Sequence, residues 1–121
     1  MKNSILRQKV FSFAVKIVRV VQELQRRHKE FVLSAQLLDC GTSIGANERE
    51  AEYAQSRKDF INKLSISLKE TNESQFFLEL LHATDYLERH EFENLYAESG
   101  EIKAMLIASI RTAKAGMSRT G

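Results

Sequence analysis

Proline is absent from all 121 residues, and glycine occurs only five times. Without proline, and with few turn dipeptides, little interrupts a helix, so long helices joined by short connections are expected. No stretch alternates apolar and polar residues as a half-buried strand does. No apolar run approaches the ~18 residues a membrane span needs, so no membrane partner is expected. Lys16 and Arg19 interrupt the apolar segment at residues 11–21, so no secretory leader is expected. The single cysteine cannot close an internal disulfide, and Cys40 reads as a small core residue rather than a nucleophile. A cytoplasmic location is the resulting expectation.

What is present is helical periodicity. Leu6, Val10, Phe13, Ile17, Val20 and Leu24 recur at steps of four and three, which predicts a first helix over residues 4–27 with Ser4 as its cap. Residues 27–30 read as a turn. Leu33, Leu37, Cys40, Ile44, Asn47, Ala51 and Ala54 form the seam of a second helix over residues 31–55. Ser56 followed by Asp59 reads as a capping box that opens a third helix over residues 56–85, with Phe60, Leu64, Ser67, Thr71, Ser74, Leu78 and Leu81 on its seam. A fourth starts within residues 88–91 and carries Phe92, Leu95, Ser99, Ile102, Leu106, Ser109 and Ala113; its tail from residue 114 is expected to fray. Four helices with short connections predict a single all-α domain over residues 1–121, an up-down-up-down antiparallel four-helix bundle.

Three features stand out against that background. The second helix is rich in small residues, Gly41, Thr42, Ser43, Gly45 and Ala46, which permit close backbone approach. Asn47 occupies a seam position. With Glu50 on its own helix and Ser67 and Glu70 on the third, it is expected to form a structural polar layer that must be fully hydrogen-bonded. On the first helix, Phe11, Val15 and Val18 form a second apolar stripe, more than one neighbouring helix can cover, and so a candidate oligomer interface.

Charge is unevenly placed. The formal net charge is only +2, yet residues 1–29 hold eight lysines and arginines against the single acid Glu23, while residues 70–121 hold five against nine acids. Lys9, Lys16, Arg19, Arg26 and Arg27 lie along the first helix as a ribbon roughly 25 Å long, from a rise of 1.5 Å per residue. Such a ribbon is a candidate contact for RNA or DNA backbone.

Catalytic constellations are few. Glu79 and His82 form one Glu-x-x-His motif, but a di-metal bundle site needs two such motifs and two further carboxylates. No phosphate loop, Cys-x-x-Cys pair or Ser-His-Asp set is present. Neither an enzyme nor a metal or other cofactor is expected.

The run Thr42-Ser43-Ile44-Gly45-Ala46-Asn47 with Glu50-Ala51, then Ser56-Arg57-Lys58-Asp59-Phe60, then Ser67-Leu68-Lys69-Glu70 with Glu73, resembles the four-helix-bundle proteins encoded in intervening sequences of bacterial large-subunit ribosomal RNA genes. That family is similar to the accessory variability determinant of diversity-generating retroelements. The likeness spans roughly residues 11–109. It implies a ring-like homopentamer and, for the retroelement branch, a basic surface that engages nucleic acid and a reverse transcriptase. The intervening-sequence branch has no established biochemical role. Two departures are visible: Glu48 and Arg49 stand where the family often has apolar or small residues, and Phe76-Phe77 where it often has tryptophan. Two readings follow, a non-catalytic oligomeric nucleic-acid accessory protein or a bundle that acts through protein contacts alone.

Overall fold

The stripe on the first helix is buried as its spacing dictates: Phe13 and Ile17 are fully enclosed, and Leu6, Val10, Val20, Val21 and Leu24 lie beside them. A computed structural model describes the backbone of residues 2–120 and the side chains of residues 5–117. Its four helices are α1 (Lys2–Arg27), α2 (Val32–Glu52), α3 (Arg57–Ala83) and α4 (Arg89–Thr120). Each packs on its neighbour in sequence, and α1 closes against α4, while the diagonal pairs stay apart. This is the antiparallel up-down-up-down bundle that short connections impose.

The core runs along the axis through Leu37 and Ile44 of α2, Leu64, Leu78 and Leu81 of α3, and Ile102 and Leu106 of α4. Between the leucines of α3 sit Ser67, Thr71 and Ser74, all fully buried. Thr71 and Ser74 donate to carbonyls of their own helix, four residues back, at 2.9 Å. Ser67 Oγ instead donates across the interface to the carbonyl of Ile44 at 2.7 Å. The small side chains keep α2 and α3 close, and every hydroxyl is satisfied, so their burial costs little.

Each connection is closed by a specific device. At the end of α1, Lys29 takes a left-handed backbone (φ 53°) and Glu30 N donates back to Leu24 O at 3.1 Å. Glu30 then caps α2. Its carboxylate accepts from the backbone N–H groups of Val32 at 3.2 Å, Leu33 at 3.0 Å and Ser34 at 2.7 Å, and Ser34 Oγ donates to its carbonyl. Burial raises its pKa, but these N–H groups outweigh that and hold it below the ordinary value. Ser56 caps α3 as its sequence implies, its hydroxyl accepting from Asp59 N at 3.0 Å. After α3, Asp85 (φ 69°) fills the left-handed position that glycine usually takes; its N–H bonds to His82 O, and Tyr86 N–H bonds to Leu81 O.

The observed ends differ from the expected ones. The first helix begins at Lys2, which places Ser4 inside it rather than at its cap. The second stops at Glu52, because Tyr53 and Ala54 close tight turns onto Glu50 and Ala51, and Ser56 needs extended backbone. Ala54 therefore lies outside the α2 seam. The third ends at Ala83, where the Asp85 turn begins. The tail does not lose its helix at residue 114: α4 continues to Thr120, and the Arg57 guanidinium at the start of α3 lies against Gly116, in space that a Cβ would occupy.

Candidate interaction surface

The outer face of α1 carries two strips of opposite character. On the side toward α4 lie Lys9 and Lys16, and α4 answers them with acids. Lys9 Nζ is 2.9 Å from Glu101 Oε1, and Lys16 Nζ is 2.7 Å from Glu98 Oε1. Arg26 and Arg27 both reach Glu23, at 2.8 and 3.6 Å. Arg19 is exposed and has no acid at ion-pair distance among the described residues. The acids counted along α1 alone understate this neutralisation, since two of them come from α4. These pairs are exposed and individually worth ~0–1 kcal/mol, so they shape the potential more than the stability.

On the side toward α2 the strip is apolar. Phe11 is 58% exposed and Val18 36%, with Val15 half-buried alongside. Beside them α2 presents its small residues. A Cβ at Gly41 would stand 2.9 Å from Ile17 Cγ2, so only glycine lets α1 settle this closely. One turn on, Gly45 and Ala46 floor a shallow groove whose other wall is Val10, Phe11 and Ala14. Arg49 holds its guanidinium 5.8 Å from the Phe11 ring centroid, within cation–π range.

The expected polar layer does not assemble as one unit. Asn47 is half-buried and donates to Ser43 O of its own helix at 2.9 Å. Glu50 is exposed and pairs with Lys63 at 2.8 Å. Glu70 sits half-buried at the rim, its pKa raised by burial and then by Glu73 and Asp39 nearby. Ser67 crosses to α2 at the Ile44 carbonyl and Glu50 crosses to α3 at Lys63, so no bond among the described residues joins two members of the layer. The helix is turned so that the residue after Asn47 faces inward: Glu48 is 2% exposed.

Cys40, Glu79 and His82 are engaged within the bundle. Cys40 is buried, and burial raises its thiol pKa. His82 stacks on Phe92 with ring centroids 4.5 Å apart, its Nδ1 3.0 Å from Leu87 O, and Glu79 accepts from the Tyr96 hydroxyl at 2.8 Å. The Glu-x-x-His pair is thus engaged in joining α3 to α4.

The model of the 23S rRNA-intervening sequence protein family matches residues 2–108. The chain belongs to this family. Among solved structures, the intervening-sequence chain is similar to a protein of unknown function from the S23 ribosomal protein family of Bacteroides thetaiotaomicron VPI-5482, at 51% identity and a TM-score of 0.90, over 92% of this chain and 99% of that one. No curated protein matches it significantly. The helical order agrees with this membership, and no helix among the described residues is long and apolar enough to cross a membrane.

Proposed function

We propose that this intervening-sequence protein is a non-catalytic building block that assembles with further copies of itself and acts through protein contacts. The observation that supports this most is the uncovered strip of Phe11, Val15 and Val18 beside the Gly45–Ala46 groove. Exposed aromatic and branched side chains next to a flat, small-residue surface suit a packed helix–helix contact. The number of copies is taken from the family likeness, which points to five in a ring. Phe11→Glu together with Val18→Glu is expected to release monomers that keep the helical circular dichroism of the parent. Intact oligomers in that double variant would move the interface elsewhere.

A second reading, an RNA or DNA backbone contact, rests on one end of α1. There a single carboxylate, Glu23, serves both Arg26 and Arg27, and Arg19 stands beside them. Repetition of this end around an oligomer raises effective concentration and so avidity. A reverse transcriptase partner would belong to this reading. Duplex DNA and structured RNA at low salt are the probes for it.

A further inference from the structure

Glu48, 2% exposed, is the most deeply enclosed acid among the described residues. Among the described residues its Oε1 has no hydrogen-bond donor, and neither has Oε2 of Glu52, one turn later on the same face of α2; both atoms are buried. The two side chains are in hydrogen-bond contact with each other. Two ionised carboxylates in contact offer only acceptors, and a buried acceptor without a donor is costly. A proton on Glu48 gives the pair a donor and removes one of two adjacent negative charges.

We propose that Glu48 keeps a proton directed at Glu52, and that this proton is a pH-sensitive latch on the α1–α2 crossing. Among the described residues the charged groups around it are few. From α1, Arg7 Nη1 lies 3.5 Å from Glu52 Oε1. From α2 itself, Arg49 is near, but its guanidinium leans on the Phe11 ring. On α3, Lys63 is engaged by Glu50, which two residues along the helix places on the opposite face from Glu48. The helix α4 does not pack on α2. Burial, then the hydrogen bond to Glu52 and its charge, push the Glu48 pKa up to about 8, against the smaller pull of Arg7 and Arg49. Above that pH the proton leaves to solvent, and two adjacent carboxylates remain with one loosely placed arginine to offset them. The N-terminal half of α1, packed over them, is the element that must give way.

The sign follows from linkage. A carboxyl whose folded pKa is raised binds its proton more tightly when folded, so its stabilisation is complete below the ordinary carboxyl range and declines as pH rises to about 8. A single linked proton changes the folded-to-unfolded ratio by up to about tenfold per pH unit in that window.

The test is thermal and chemical unfolding from pH 5 to pH 9 of the wild-type chain and of Glu48→Gln, which keeps the shape and a permanent donor. The wild type is expected to lose stability up to about pH 8 and level off above it, and E48Q to hold its stability nearly constant. Carbon-13 carboxyl resonances of the wild-type protein report the site itself, whatever the variant does. A Glu48 carboxyl titrating near pH 8 supports the latch. A carboxyl titrating between pH 4 and 5, or an E48Q slope equal to that of the wild type, overturns it.

Discussion

Lys16 Nζ lies 2.7 Å from Glu98 Oε1, so the centre of the basic ribbon on α1 is bonded to α4 of the same chain. Lys9 and Glu101 repeat the arrangement two turns away. What remains available to an anionic partner is the end at Arg19, Arg26 and Arg27. Binding to nucleic-acid backbone, measured by salt titration, is therefore expected to be weak. Three contacts give a slope of log affinity against log salt of about −3 per subunit. Charge reversal at Arg26 and Arg27 should abolish this binding, and Lys16→Glu should change it little. A Lys16→Glu effect as large as that of the arginines would show that the ion pair opens freely.

The Glu30 cap yields a prediction for acid. Glu30→Ala removes three backbone hydrogen bonds at the start of α2 and should cost about 1 kcal/mol near neutral pH. Because the folded pKa is lowered, the cap's contribution is present above the ordinary carboxyl range and is lost as pH falls through the folded value. Urea unfolding of both proteins at pH 7 and at pH 3 should show the gap between them closing in acid. A gap that persists at low pH would mean that packing, not the carboxylate, sets the cost.

Two glycines make a paired test of the close crossing. Alanine gains roughly 1 kcal/mol of helix propensity over glycine at an interior position. At Gly100 a Cβ meets nothing within 4 Å, so Gly100→Ala should stabilise by about that amount. At Gly41 the Cβ would stand 2.9 Å from Ile17 Cγ2, and overpacking of ~1–3 kcal/mol should cancel or reverse the gain. Equal stabilisation by both substitutions, read from urea midpoints, would mean that α1 shifts away at no cost.

The helices were legible because their signal is local. The α1 stripe names its buried residues in order, and Ser56 with Asp59 marks the start of α3 by a hydrogen bond within one turn. Contacts between distant residues were not legible. Glu98 and Glu101 neutralise lysines 82 and 92 positions away, and no count along α1 can include them. The polar layer failed for a related reason. Asn47 lies on the seam traced by the apolar residues facing α3, but α2 also has a second seam toward α1, through Gly41, Gly45, Glu48 and Glu52. Steps of four, three and four mark that seam, yet glycines and acids do not register as an apolar stripe. The Glu30 cap has no local marker in the sequence, because a glutamate two residues before the first helical residue, Val32, lacks the usual Ser or Asp signature.

Self-assembly through Phe11, Val15 and Val18 is the central claim, and the mass of the purified protein by light scattering tests it most directly. The account predicts one species at about five times the 13.9 kDa of the chain, reduced to that single-chain mass by Phe11→Glu with Val18→Glu. A monodisperse wild-type monomer of 13.9 kDa at micromolar concentration would contradict it.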